Sequence, residues 1–253
     1  MSELGEKVRK SIKRLKGFAP SEGYYLAFSG GKDSVVVKAL CDMAGVKYDA
    51  AYRVTSADPP ELVKFIMNAH PDVDREIPKD KDGNPVTMWN LIPRKLMLPT
   101  RLQRYCCAEL KETGGIGRLT LTGVRWSESV NRAQSQGVLQ VRNKKMNAEM
   151  ENAGFLQSGK GALVLMSDND AVRRMTEHCY QKNKTLLNPI IDWTTAEVWQ
   201  FIRAERVPYC GLYDEGWHRL GCIGCPMAGT ATRVDQFMRW SKYKNCICWQ
   251  SNA

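Results

Sequence analysis

Six consecutive residues, Ser29-Gly30-Gly31-Lys32-Asp33-Ser34, stand between a short apolar run at Tyr24–Phe28 and a helical pattern at Asp33–Ala44. A strand that turns through two glycines into a helix constrains the fold more than any other feature of this chain. Binding an anion requires several backbone N–H groups to converge, close approach of the main chain, and often a cation. Gly30 and Gly31 permit that approach because they carry no Cβ. The helix that follows aims its first N–H groups at the same point. Lys32 adds a point charge, and Ser29 and Ser34 can donate hydroxyl bonds. Asp33 is the odd member, since it repels a phosphate unless it holds Mg²⁺ or a neighbouring backbone group. The spacing is neither G-x-x-x-x-G-K-S/T nor G-x-G-x-x-G.

Around the loop the pattern reads strand, turn, helix, strand, which opens a parallel α/β sheet. Tyr48–Val54 is a second strand, and Pro59-Pro60 opens a helix running to about Ala69. Arg118–Val124 and Ala162–Met166 read as further strands, Asp168–Gln181 as a helix, and Thr194–Arg206 as a helix capped by Thr194 or Thr195. The expected fold is α/β with a mostly parallel sheet and helices on both faces. Its expected organisation has three parts. A basic amphipathic helix occupies 1–20, and a nucleotide-binding domain with an insertion near 136–160 occupies 21–207. A Cys-rich region at 208–253 packs on that same domain.

Leu4, Val8, Ile12 and Leu15 recur at helical spacing with Lys and Arg between them, which suits a docked helix with a solvated face as well as a grip on nucleic acid. The formal net charge of +10 favours polyanionic partners such as nucleotides, tRNA or DNA. No apolar run reaches the ~18–20 residues of a membrane helix, and the N-terminus lacks an apolar stretch after its basic residues, so a cytoplasmic protein is expected. In that setting nine cysteines point to metal binding or thiol chemistry rather than to disulfides. Cys41 and Cys179 read as core residues.

Cys106-Cys107 and Cys222-Ile223-Gly224-Cys225 are far apart in sequence. Four thiolates can hold a 4Fe–4S cluster or a tetrahedral zinc. Adjacent cysteines chelate a single zinc with difficulty, whereas a cluster offers each thiolate its own iron. The 4Fe–4S reading leads, with zinc and unligated thiols as the alternatives. Cys246 and Cys248 form a separate pair, read either as a redox or sulfur relay or as incidental thiols.

The Ser29–Ser34 loop resembles that of the PP-loop ATP pyrophosphatases and the phosphoadenosine phosphosulfate reductase family. Thr55-Ser56-Ala57-Asp58-Pro59-Pro60-Glu61 resembles that family's second-strand segment. Gly123-Val124-Arg125-Trp126-Ser127-Glu128-Ser129 with Arg132 resembles its G-V-R-x-x-E-S-x-x-R stretch. Asn188-Pro189-Ile190-Ile191-Asp192-Trp193-Thr194 with Val198-Trp199 resembles its N-P-I-x-D-W-T signature. The resemblance implies a Rossmann-like adenine nucleotide α-hydrolase fold. It implies that the loop holds phosphates, that Thr55, Ser56 and Asp58 lie near the nucleoside, and that Gly123, Arg125 and Arg132 serve the phosphate or sulfate. Lys32, Asp33, Arg125 and Arg132 become the catalytic candidates. For the two arginines an ion pair with Glu128 on one helical face is the competing role. The cysteine arrangement resembles the cluster-bearing reductase branch and the DNA phosphorothioation enzymes. The family's terminal Glu-Cys-Gly-x-His segment has no counterpart in this sequence.

Three functions follow from these features. The first is cleavage of ATP, taken with Mg²⁺, to AMP and pyrophosphate in sulfur transfer to an acceptor such as tRNA or DNA, with a cysteine desulfurase or other thiol donor as partner. The second is reduction of a sulfonucleotide, with Cys246 or Cys248 as nucleophile and a thiol or electron donor. The third is a nucleotide-binding accessory role without turnover.

Overall fold

The computed structural model describes residues 3–141, 148–152, 154–158, 162–166 and 185–250, with the backbone alone at 131, 149 and 247–250. The expected helix at Asp168–Gln181, Cys179 and the Cys248 side chain lie outside the described residues. The chain forms two compact units. The first comprises Met1–Phe28, Lys32–Ala51 and Gly115–Tyr209; the second comprises Ser29–Gly31, Tyr52–Gly114 and Cys210–Ala253.

In chain order the elements begin with α1 (Glu3–Gly17), β1 (Tyr24–Ala27), α2 (Lys32–Ala44), β2 (Tyr48–Arg53), α3 (Pro60–Ala69) and β3 (Asp74–Glu76). Then come α4 (Met88–Lys95), α5 (Tyr105–Leu110), β4 (Leu119–Leu121), α6 (Val130–Ser135), β5 (Leu139–Val141), α7 (Ala148–Asn152) and β6 (Phe155–Gln157). The last are β7 (Leu163–Leu165), β8 (Thr185–Leu187), α8 (Thr195–Ala204), α9 (Thr230–Arg239) and α10 (Ser241–Gln250).

The strands form one sheet in the order β3-β2-β1-β4-β8-β5-β7-β6. β1 runs parallel to β2, with Tyr24 opposite Tyr48, and parallel to β4, with Leu26 opposite Leu121; β4 runs parallel to β8. Strands covered on both faces read as continuous apolar runs, as β1 (Tyr-Tyr-Leu-Ala) and β4 do. The chain passes from β1 through α2 to β2 on one side and later places β4 on the other. Strand order therefore reverses between β1 and β4, and open α/β sheets bind ligands beyond the carboxyl ends of strands at such a point. Residues 136–160, read from sequence as an insertion, contribute β5, α7 and β6, and with β7 they extend the sheet by an antiparallel edge. Strands of three residues are too short to announce themselves by alternation. Gly137 sits where a Cβ would meet the Leu165 carbonyl oxygen at 2.2 Å, so the close approach to β7 requires a glycine.

In the first unit α1 docks through Ser11, Arg14 and Leu15, all buried. Ser11 Oγ and Arg14 Nη1 donate to the Pro189 carbonyl, and Arg14 also pairs with Asp192 at 2.7 Å. Trp193 Nε1 donates to Ser11 Oγ. The Asn188–Thr194 stretch is thus the seat of α1. It also starts α8, where Thr194 and Glu197 form the reciprocal capping box. The second unit has a core of its own made of Ala57, Val86, Met88, Leu91, Ile92, Cys106 and Leu110. No helix among the described residues is long and apolar enough to cross a membrane.

Candidate functional site

The Ser29–Ser34 loop follows the carboxyl end of β1, and its residues belong to both units. In the second unit Gly30 has φ +70°, and a Cβ there would stand 2.7 Å from Ile66 Cγ1 and 2.9 Å from Leu62 Cδ1. Both neighbours are fully buried members of α3, so neither can swing aside. A glycine is therefore required by conformation and by space. The Gly31 N–H turns back towards Ser29 Oγ.

In the first unit Lys32 and Asp33 open α2. The Asp33 carboxylate accepts from Arg125 Nε at 2.8 Å and pairs with Lys32 Nζ at 3.2 Å. Arg125 is 1% exposed, and its Nη1 donates to Ser127 Oγ, the Trp193 carbonyl and Thr195 Oγ1. The guanidinium expected to reach a phosphate or sulfate is thus bonded to four protein oxygens. The competing expectation for it, a pair with Glu128, holds for its backbone alone, since Arg125 N–H donates to Glu128 Oε2 at 3.1 Å. Arg132, on α6, forms the side-chain pair with Glu128, which precedes the extended Ser129 that caps that helix. Gly123, just beyond β4, lies so close to α2 that a Cβ would meet Asp33 Cβ at 2.8 Å. The oddity of an acid in a phosphate loop is resolved here, because Arg125 and Lys32 balance its charge.

The second-strand segment lies wholly in the second unit. The buried Asp58 carboxylate accepts from Tyr52 Oη at 2.7 Å and Thr55 Oγ1 at 2.8 Å, both at Oδ2. Burial, then the Asp58 charge, pushes the Tyr52 hydroxyl well above its usual range. Ser56 adopts φ +62°, a conformation costly for a residue with a side chain, and accepts from the Met88 N–H through its hydroxyl.

This segment is joined to the cysteines. Cys222 Sγ is 3.7 Å from Thr55 Oγ1, and the Ile223 N–H donates to the Ala57 carbonyl. Cys106 lines the unit's core, and Cys107 and Cys222 pack against it. A hydrogen bond from Cys106 lowers the Cys107 thiol, with Lys111 and Arg104 adding to the effect, and the same bond raises Cys106. Burial pushes Cys222 up to about 11 against the opposing pull of Lys111. Burial also disfavours the Lys111 cation, yet Cys222, Asp58 and Cys107 together raise it above its usual range. Cys225 closes a turn onto the Cys222 carbonyl, with Gly224 at φ +70°.

Thus the structure gathers Cys106, Cys107 and Cys222 around one apolar wall, with Cys225 on the adjoining turn. Among the described residues no three His, Cys, Asp or Glu side chains stand as a finished metal ligand set. The donors nevertheless fit a thiolate-bound cluster in kind and neighbourhood: soft sulfur ligands, an apolar wall, and a lysine cation to offset accumulated negative charge. Lys111 was not singled out from sequence. Its signal was there, one helical turn beyond Cys107. Cys246 is exposed on α10.

A sheet with parallel inner strands and a Ser-Gly-Gly-Lys-Asp-Ser loop leaving β1 is the Rossmann-like adenine nucleotide α-hydrolase architecture. Within that class, the phosphoadenosine phosphosulfate reductase domain profile matches residues 23–228, and the chain belongs to that family. A Methanocaldococcus jannaschii protein, MJ0066, is 24% identical over 236 residues, covering 88% of this chain and 41% of that protein. The adenosine 5′-phosphosulfate reductase of Allochromatium vinosum is 43% identical over 54 residues, 21% of each chain. The match thus spans less than half of MJ0066 and about a fifth of the reductase. Among solved structures, the Candida auris phosphoadenylyl-sulfate reductase in complex with phosphate superposes with a TM-score of 0.48 and 15% identity, over 88% of this chain and 96% of that one. At that score the likeness carries no functional argument.

Proposed function

We propose that the chain binds an adenine nucleotide through Ser29–Ser34 and cleaves ATP to AMP and pyrophosphate in a sulfur transfer. The observation that carries this reading is the neutralised Asp33. With Arg125 and Lys32 balancing the loop's acid, its carboxylate no longer stands as an uncompensated charge against a polyphosphate. An acceptor oxygen attacks the α-phosphorus of Mg·ATP and pyrophosphate leaves. A sulfur nucleophile then displaces AMP, which carries that oxygen away. Lys32, at the first position of α2, offsets charge on the departing pyrophosphate. Half-buried Ser56 lies on the nucleoside side, while buried Thr55 and Asp58 hold that segment in shape.

The acceptor in this reading is a nucleic acid, tRNA or DNA, in keeping with the net charge of +10. A cysteine desulfurase or a comparable thiol donor supplies the sulfur. Cys106, Cys107, Cys222 and Cys225 hold a 4Fe–4S cluster, which when bound supplies an iron site for sulfur or electrons. Free thiols and such a cluster suit the reducing cytoplasm.

A sulfonucleotide reductase is the second reading, favoured by the 43% identity to the Allochromatium vinosum enzyme over 54 residues. Product analysis on anaerobically reconstituted protein separates the two. AMP and pyrophosphate from Mg·ATP, without sulfite from phosphoadenosine phosphosulfate and a dithiol, support ATP cleavage. Sulfite with ATP untouched overturns it. ATP retained tightly without any product makes the chain a nucleotide-binding accessory.

A further inference from the structure

Cys106-Cys107 and Cys222–Cys225 are more than a hundred residues apart, and both pairs lie in the second unit. Thiols cannot bring such distant segments together by themselves. Two side chains outside the cysteine motifs bond to the main chain around the second pair. Arg101, five residues before Cys106, donates from Nε to the Pro226 carbonyl at 3.0 Å and from Nη2 to the Ala228 carbonyl at 3.4 Å. Gln236, buried on α9, accepts from the Gly224 N–H at 2.9 Å through Oε1. The turn is completed by Cys225 N–H to the Cys222 carbonyl and Ala228 N–H to the Cys225 carbonyl.

We propose that Arg101 and Gln236 are positioning residues that assemble the four-cysteine centre, Arg101 by clipping the segment before Cys106 to the Cys225–Ala228 turn and Gln236 by fixing Gly224 between its two cysteines. Gly224 in the left-handed region allows the reversal between Cys222 and Cys225. Its N–H donates to Gln236 Oε1. Removing that acceptor strands a half-buried donor and frees the turn to reorient. Arg101 can meet two carbonyls at once because its donors are set in a fixed fork, a geometry lysine lacks.

The inference rests on the cluster reading, so the test has one arm with iron and one without. In the iron-free protein, exchange of the Gly224 amide with deuterium is expected to be about tenfold faster in Gln236→Leu than in the unmodified chain, the loss of one net hydrogen bond. Gln236→Glu, which keeps the acceptor oxygen, is expected to restore protection. In the reconstituted protein, Gln236→Leu and Arg101→Lys are both expected to lose iron and sulfide to a chelator several-fold faster, with ATP affinity unchanged. A purely structural role would lower the melting temperature while leaving iron release unchanged well below it. Unchanged exchange in Gln236→Leu, or unchanged iron release in both variants, overturns the proposal. If the unmodified chain takes up no iron, the cluster reading falls, and the exchange arm alone decides whether Gln236 holds the turn.

Discussion

Side chains that look alike in a motif part company once their partners are known. Arg125 and Arg132 stand in one stretch of sequence, yet the first is buried against Asp33 and the second pairs with Glu128 on a half-exposed helix. Replacing Arg125 with Met leaves Asp33 short of its main counter-charge. A loss of about 3 kcal/mol in urea unfolding is expected, because breaking a buried pair leaves a charge uncompensated. Combining it with Asp33→Asn should recover part of that loss. A double variant no better than Arg125→Met alone would mean that the pair is not what Arg125 serves. Gly30→Ala is expected to cost about 1–3 kcal/mol and to weaken nucleotide binding, since the new Cβ meets Ile66 in a conformation that disfavours side chains. Equilibrium dialysis with a non-hydrolysable ATP analogue measures the binding. Sequence alone marked Gly30, since only a glycine turn joins such a strand to such a helix. It could not mark Arg101 or Gln236, whose partners are more than a hundred and about a dozen residues away.

At the level of elements, the seat of α1 is the clearest case of a motif with a structural use. Asp192 accepts from Arg14 and pairs with Lys10. Burial raises the Asp192 carboxyl, but Arg14 and then Lys10 outweigh it and hold it below its ordinary range. A carboxyl depressed on folding contributes stability that is present above its unfolded value of about 3.9 and lost as pH falls through the lower folded value. Urea midpoints should therefore drop below about pH 4, and Asp192→Asn should flatten that acid limb. An identical limb in the variant would remove Asp192 from the account. Thr194→Ala should cost about 1 kcal/mol through loss of the α8 cap. That helix was readable from its Thr-x-x-Glu start. Of the antiparallel edge, β7 was readable at Ala162–Met166, whereas β5 and β6 were not, because their pairing depends on partners across the sheet rather than on local periodicity.

For the whole molecule, net charge is the property that reaches farthest, and the exposed side of α1 carries Arg9, Lys10, Lys13 and Lys16. Binding to tRNA or duplex DNA should weaken linearly in log K against log salt. Replacing Arg9, Lys13 and Lys16 with Gln should lower that slope by about 1 per cation removed. An unchanged slope in filter binding would place the polyanion elsewhere. The sequence by itself determined the α/β class, the glycine turn between β1 and α2, the basic first helix and the cysteine composition. Each of these is written in local spacing: a glycine pair between two periodic runs, a helical repeat, or a residue type. Only the tertiary structure decided that Arg125 neutralises Asp33, that Asp58 pairs with Tyr52 and Thr55, and that Asn188–Thr194 seats α1. Those outcomes depend on which distant groups meet in a place that water has largely left. There an unpaired charge or donor is costly, so the available partner, and not the motif, sets each side chain's role.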